Sequence, residues 1–257
     1  MEIFVVSAAA LVASALTLFS GFGLGTLLMP VVAIFFPVDI AIAITAMVHL
    51  ANNLFKVALL GKHANRAVLF SFGVTAVIFA FLGALVLGWL SEMPPVLEYV
   101  AFNNQMQVSP VKMIVGLLIL GFVVFDLSPK FSAIELDRKY LPYGGVVSGF
   151  FGGLSGHQGA FRSMFLLKAG LAKEEFVATG VMLAVMVDTS RILIYGWEMS
   201  TQRQGIEWPL VIAASISAFI GAYFGAKMLK KLTIRAIQVA VSALLVIVSL
   251  GLISGAL

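Results

Sequence analysis

Residues 141–171 read LPYGGVVSGFFGGLSGHQGAFRSMFLLKAGL, and this stretch decides the fold. It is apolar at both ends and broken in the middle. Gly149, Gly152, Gly153, Gly156 and Gly159 are dense enough to break a helix or to let two backbones approach closely. The apolar runs on either side, about 141–157 and 159–171, are too short for ordinary spans, since crossing a hydrocarbon core takes roughly 20 residues. Around the break stand Ser155, His157, Gln158, Arg162 and Ser163. No lipid-facing surface tolerates such a cluster. The stretch therefore predicts a broken, re-entrant hairpin held inside a membrane protein, or else a polar loop packed in protein.

The rest of the chain agrees with that setting. Of its 257 residues, 61% are hydrophobic and only 11% charged, and the mean hydropathy is +1.08. A soluble domain carries roughly 25% charged residues. Further apolar stretches cover about 3–20, 26–36, 38–60, 67–90, 110–126, 176–196, 208–228 and 236–256. No polar stretch is long enough for a soluble domain, so residues 1–257 read as one transmembrane domain. The net charge of +4 carries no argument for nucleic acid here, because in membranes the placement of basic residues matters more than their sum. The absence of cysteine removes disulfides, thiol nucleophiles and Cys-based metal sites. The N-terminal stretch has Glu2 and no basic segment, and it reads as a retained helix.

A second glycine cluster, Gly21, Gly23 and Gly25, precedes the short run 26–36. It marks an internal repeat. A shift of about 135 residues places Ala43 on Ala178, Asn53 on Asp188, Lys56 on Arg191 and Gly61 on Gly196. Gly83–Ala84 then matches Gly221–Ala222 after a short loop insertion. Each half, about 1–126 and about 141–257, reads as a broken hairpin followed by three full spans. Paired, interrupted segments in two halves are a common transporter design.

Basic residues cluster at Lys62/Arg66, Lys130/Arg138/Lys139, Lys168/Lys173 and Lys227/Lys230/Lys231/Arg235, whereas loop 91–109 carries Glu92 and Glu98 and no Lys or Arg. The positive-inside rule puts the four clusters in the cytoplasm and loop 91–109 outside. Loop 197–207 is near neutral and also goes outside. Segment 141–171 must then enter and leave on the cytoplasmic face and, by symmetry, segment 3–36 on the outer face, so the two halves have inverted topology. Counting each hairpin as one span gives eight helices in parallel repeats, but it moves the basic 227–235 loop outside. The expected fold is thus an all-α polytopic membrane protein with two inverted repeats, each a broken or re-entrant hairpin plus three transmembrane helices.

The chemistry concentrates on the first full span of each half. Thr45, His49, Asn53 and Lys56 are spaced by four, four and three residues, which puts them on one helical face. The corresponding face of 176–196 carries Thr179, Asp188, Arg191 and Tyr195. A Lys or Arg at the bilayer centre costs about 2.5–3.5 kcal/mol, so Lys56 and Arg191 should face the bundle interior. Near their helix ends they can instead snorkel to the interface. Arg191 can pair with Asp188 at i, i+3. In the second hairpin, a half-helix starting near Gly156–Gly159 would offer free N–H groups to an anion. Arg162, one turn in, would add a bidentate charge suited to oxyanions. The first hairpin offers Gly23, Gly25, Thr26 and backbone amides, with Pro30 in the following half-helix.

These segments resemble a known family. GFGLGTLLMPVVAIFFP (21–37) is similar to the glycine-rich, proline-containing opening of the sulfite exporter TauE/SafE family, also called toluenesulfonate uptake permeases. GGLSGHQGAFRSMFLLKAGLAKEEFVATGVMLAVMVDTSRILIYG (152–196) resembles the second-half motif of one branch. The resemblance runs over nearly the whole chain. The usual second opening repeats a Gly-Gly-Gly and Pro pattern, whereas this chain has GHQGAFRS without proline. The resemblance implies secondary transport of sulfite or organosulfonates across the cytoplasmic (inner) membrane, with no prosthetic group.

The expected substrate site comprises Gly23, Gly25, Thr26, His49, Asn53, Lys56, Ser155, Gly156, His157, Gln158, Arg162 and Arg191, with Asp188 or His49 carrying a coupling proton. The anion would sit near the midplane between the two hairpin tips, and the halves would rock around it. Expected partners are the small anion, a coupling proton or cation, the bilayer and a second copy of the chain in a homodimer. No metal, cofactor, nucleic acid or catalytic role is expected. Two other classes remain at this point. One is an anion channel, although nothing resembles a selectivity filter. The other is an intramembrane serine protease, because Gly153-Leu154-Ser155-Gly156 matches the rhomboid nucleophile string. That reaction needs a His base at the serine. Rhomboids take this base from a later helix. No histidine follows His157 here, leaving His49 as the one that could approach in space.

Overall fold

The computed structural model describes residues 1–20, 23–101, 103–128, 136–167, 169–202, 207–228 and 234–257. Gly21, Lys130, Lys168, Lys230 and Lys231 lie outside these residues. Ten α-helices and one two-stranded sheet occur among the described residues. In chain order they are α1 (Glu2–Ser20), α2 (Leu24–Val32), α3 (Val38–Leu60), α4 (Arg66–Ser91), β1 (Leu97–Ala101), β2 (Asn104–Val108), α5 (Pro110–Leu127), α6 (Leu141–Ser155), α7 (Gly159–Leu166), α8 (Lys173–Gln202), α9 (Trp208–Met228) and α10 (Ile234–Ser254). The chain is an all-α polytopic membrane protein apart from the small β-hairpin. Val38–Ala58, Arg66–Ser91 and Lys173–Trp197 are long and apolar enough to cross a membrane, and shorter apolar helices surround them.

Local chemistry explains the breaks. Gly23, extended at φ −77°, ψ 147°, precedes α2 without any side-chain cap. Pro30 within α2 has no N–H to give the Thr26 carbonyl one turn earlier. This short helix ends at Val32, before the expected 36, and 33–36 turn into Pro37, which disfavours helix in the residue before it. Gly156 ends α6 in the left-handed conformation at φ +81°, where glycine meets no steric penalty. The chain reaches α7 two residues later. That helix stops at Leu166 and not at 171. The turn that follows includes Gly170 at φ +72°. By contrast, α8 outruns its apolar stretch at both ends. Glu174 and Glu175 lie in its first turn and complement the positive helix end. Loop 91–109 contains the antiparallel pair β1–β2, with Leu97 opposite Val108 and Ala101 opposite Asn104.

The helices pack in a crossed pattern. The most extensive pairings are α4 with α6 and α1 with α9, followed by α4 with α8, α5 with α10 and α3 with α8. Each long hairpin helix thus packs on a helix of the opposite half. Small residues make this possible. A Cβ on Gly145, Gly149 or Gly153 of α6 would stand 2.2, 2.3 and 2.0 Å from the carbonyl oxygens of Phe72, Ala76 and Ala80 of α4. On the reverse side of that seam, a Cβ on Gly83 would meet the Phe150 carbonyl oxygen at 2.2 Å. The α1–α9 seam repeats the device, for a Cβ on Gly221 would meet the Leu11 carbonyl oxygen at 2.1 Å. The outward faces are apolar. Phe70, Ile78 and Leu85 of α4 and Ile212, Ile216 and Ile220 of α9 are all exposed, as a lipid-facing surface requires. Trp89, Trp197 and Trp208 are exposed near helix ends, where aromatic belts sit.

Candidate functional site

The crossed packing brings α3 and α8 side by side, and both broken hairpins close over them. The tips touch. A Cβ on Gly25 would lie 3.8 Å from the Gly156 carbonyl oxygen and 3.6 Å from Thr45 Cγ2. A Cβ on Gly23 would lie 3.5 Å from His49 Nε2. Thr26, Thr45, His49, Asn53, Ser155, His157, Gln158, Asp188 and Arg191 are all buried.

Asp188, fully buried, is the hub. Its Oδ2 is 2.6 Å from His49 Nδ1. Its Oδ1 accepts from Arg191 Nη2 at 2.7 Å, Arg191 Nε at 3.0 Å and Gln158 Nε2 at 3.0 Å. The i, i+3 ion pair expected from the sequence is present. Arg191 also donates from Nη1 to the Gly152 carbonyl at 3.2 Å, and the Tyr195 hydroxyl donates to the Gly153 carbonyl. Both carbonyls lie at the C-terminal end of α6, where the helix dipole is negative, and the Gly152 oxygen also accepts from the Gly156 N–H at 3.0 Å. Arg191 therefore has two jobs here, neutralising Asp188 and capping the broken helix.

A chain of polar contacts leads outward from this hub. Gln158 bridges to Arg162, whose Nη1 donates to Gln158 Oε1 at 3.2 Å. Ser148 holds the same tip by donating to the Gln158 carbonyl at 2.9 Å. On the other side, Asn53 Nδ2 lies 3.2 Å from His49 Nδ1 and 3.1 Å from Nε2. His49 thus joins Asn53 to Asp188, the residue at the matching position of the second half. Half-buried Lys56 lies within Coulombic range of Arg162 and makes no hydrogen bond or ion pair to another described residue. Arg162 in turn feels the Asp188 carboxylate. Three cations and one carboxylate, with a histidine, converge on this region, and Arg191 already balances Asp188. Lys56 and Arg162 are the surplus.

His157 sits behind the second tip. Its ring stacks on Phe122 at 5.0 Å and 8°, within a group that includes Phe151 and Phe161. Its Nδ1 is 2.9 Å from the Ser155 carbonyl oxygen and 3.3 Å from Ser155 Oγ. A proton on Nδ1 given to that carbonyl leaves no lone pair there for the serine. Ser155 Oγ itself donates to the Phe151 carbonyl at 3.1 Å, and the hydrogen-bond partners of His49 among the described residues are Asp188 and Asn53, not Ser155. This is not the geometry of a base activating a nucleophile. His157 Nε2 is buried and has no partner among the described residues, like Thr45 Oγ1 and Asn52 Nδ2.

Several partners escaped the sequence reading. Asn52, off the His49 face, accepts from Ser14 of α1 at 3.2 Å. Thr179 accepts from the Asn65 backbone N–H at 2.8 Å, tying α8 to the start of α4. The phenylalanine wall around His157 gave no signal, since phenylalanine is common throughout the chain. Ser148 was legible in principle, as a lone polar residue four positions before Gly152 in a glycine ridge.

The family model TauE, described as Sulfite exporter TauE/SafE, matches residues 6–252. No curated protein and no solved structure matches the chain.

Proposed function

The chain belongs to the sulfite exporter TauE/SafE family, whose members are membrane transporters, and from that premise we propose that it moves a small sulfur-containing anion, sulfite or an organosulfonate, by alternating access. The observation that carries the reading is the charge balance between the hairpin tips. Asp188 is matched by Arg191, while Lys56 and Arg162 lie within Coulombic range of each other without a carboxylate of their own. Two uncompensated cations in a low-dielectric region call for an anion between them.

The neighbouring donors suit an oxyanion. Arg162 offers a planar fork with two-point geometry. The α7 N-terminus, where Gln158 provides no side-chain cap, presents free N–H groups beside it. The α2 N-terminus, equally uncapped, approaches from the other tip with Thr26. His157 Nε2 and Thr45 Oγ1 supply two further buried polar atoms. Gly23, Gly25 and Gly156 keep the tips thin enough for backbone to reach a ligand.

Alternating access belongs to the same proposal. Each tip is fixed to a helix that packs on the opposite half, so rocking one half against the other moves the two tips together or apart. The inverted arrangement and the homodimer are part of the proposal too. Flux of sulfite, sulfate, thiosulfate, sulfoacetate, taurine and lactate into proteoliposomes tests the reading. Saturable flux of a sulfur anion, competed by its relatives and not by lactate, is the expected result. Flux that rises linearly without saturation would favour a channel, and no flux of any sulfur anion would overturn the reading.

A further inference from the structure

We propose that His49 Nε2 is the binding site of a co-transported proton, taken up with the anion and released with it; this rests on the anion-transport reading above. The argument begins with the hydrogen atoms. Asp188 Oδ2, 2.6 Å from His49 Nδ1, is a carboxylate already paired with Arg191, so it can only accept. Nδ1 therefore carries a hydrogen, and Nε2 of the neutral ring is left with the lone pair. The Asn53 amide nitrogen, 3.1 Å from Nε2 and 3.2 Å from Nδ1, sits over the ring face and not in line with that lone pair. Nε2 also faces the first hairpin tip, where the Gly23 Cβ position lies 3.5 Å off. The ring is thus held by its Nδ1 side, while its basic side opens toward the place where an anion would enter.

Protonation at Nε2 has a defined structural consequence. The new N–H lies in the ring plane on the side of the first hairpin tip and needs an acceptor there. No bond to Asp188 breaks, and no charge moves from the Asp188–Arg191 pair. The proton binds at Nε2 as the anion arrives and leaves from Nε2 on the other side, so the reaction is balanced without a further carrier. An imidazolium adds one positive charge to the region that Lys56 and Arg162 already make positive. Asp188, 2.6 Å from Nδ1, offsets part of its repulsion by those cations, and an arriving anion offsets more. Anion and proton therefore favour each other's binding, by the same factor in both directions.

The charged surroundings of His49 are few. From α8 come Asp188 and Arg191, from α3 itself Lys56, and from α7 Arg162. Among the described residues, the other helices against α3 contribute nothing charged at this depth. Helix α2 has no charged residue, α4 has only Arg66 at its start, and α5 has Lys112 and Asp126 near its ends. Lys227 lies near the end of α9, whose Tyr223 is exposed, and Lys62 and His63 are exposed beyond the end of α3.

The test uses the full chain in proteoliposomes with the membrane potential clamped at zero. The probe is radiolabelled thiosulfate, which keeps both charges through the neutral range, with sulfite in parallel. For the native protein, one proton per anion converts each unit of imposed pH difference into about a tenfold accumulation ratio. His49→Gln is expected to lose the accumulation, its ratio falling to about one, in whatever exchange of labelled for unlabelled anion it keeps at equal pH. Native flux without any response to the pH difference, or accumulation by His49→Gln equal to native, overturns the proton site and leaves the transport reading standing. Absence of native flux of either anion removes both. Should His49→Gln lose exchange as well, 15N-histidine NMR of the native protein decides. Anion added at constant pH is expected to move the His49 Nε2 resonance toward its protonated position, and an unmoved resonance overturns the proposal.

Discussion

Arg191 turns toward Asp188 with Nη2 2.7 Å from Oδ1, and both side chains are almost completely buried, at 1% and 0% exposure. Arg191 spends its remaining donor on the end of a broken helix. The pair holds the second hairpin against α8. Breaking such a pair leaves a buried charge alone and costs about 3–5 kcal/mol. Asp188→Asn should therefore lower the thermal stability of the purified protein in detergent. Adding Arg191→Gln to that variant should restore part of the loss, because the orphaned charge goes with it. A single variant as stable as the native protein would contradict this account.

Arg162 has a different role, since its hydrogen-bond partner among the described residues is the neutral Gln158 amide. Arg162→Gln should weaken anion binding by roughly 1.5–3 kcal/mol, the range for a charge-assisted hydrogen bond, or about 10- to 100-fold in apparent affinity. Melting temperature should change little. Concentration-dependent flux of sulfite and sulfoacetate measures this. Unchanged flux would falsify the hairpin site.

The glycine seams make a prediction with an internal control. Gly153→Ala places a methyl 2.0 Å from the Ala80 carbonyl oxygen, and Gly221→Ala places one 2.1 Å from the Leu11 carbonyl oxygen. Overpacking of this kind typically costs about 1–3 kcal/mol. A Cβ on Gly121 meets nothing within 4 Å, so Gly121→Ala should be neutral or stabilising by up to about 1 kcal/mol. Folded yield and thermal unfolding of the three variants should split two against one.

Topology is open to direct labelling, because the native chain has no cysteine. Single cysteines at positions 100 and 233 report the loop after α4 and the loop after α9. The inverted arrangement places them on opposite sides of the membrane. Val100 is well exposed at 72%, and position 233 lies outside the described residues. Reaction of both with an impermeant reagent from the same side would reject inversion in favour of parallel repeats.

Much of the local architecture was readable in the amino acids. The span 38–60 matches α3 residue for residue, because a long apolar run between Pro37 and Gly61 leaves one solution. The glycine break and the i, i+3 pair of Asp188 and Arg191 are local features, and both are found. What escaped the sequence is non-local. Nothing in the order of residues says that Ser14 meets Asn52, or that Gln158 reaches Asp188 across 30 positions. The β-hairpin was missed because Glu98, Gln105 and Gln107 make 97–108 look like an ordinary polar loop. Of the candidate site, Gln158 and His49 were read as separate ligands. Their joint attachment to one carboxylate is visible only after the hairpin folds onto α8.

The exchange of helices between halves also sets an order of assembly. The backbone seat for Leu11 is Gly221 on α9, roughly 200 residues further along; at about 5–20 residues per second a ribosome needs some tens of seconds to produce it. Through that interval α1 is in the bilayer with its small-residue side uncovered, and Ser14 has Asn52 but no α9 beside it. The first half is thus a template awaiting closure rather than a finished unit. Truncation after α5 should therefore leave a fragment that quality-control proteases recognise, rescued only when the remaining half is made alongside it.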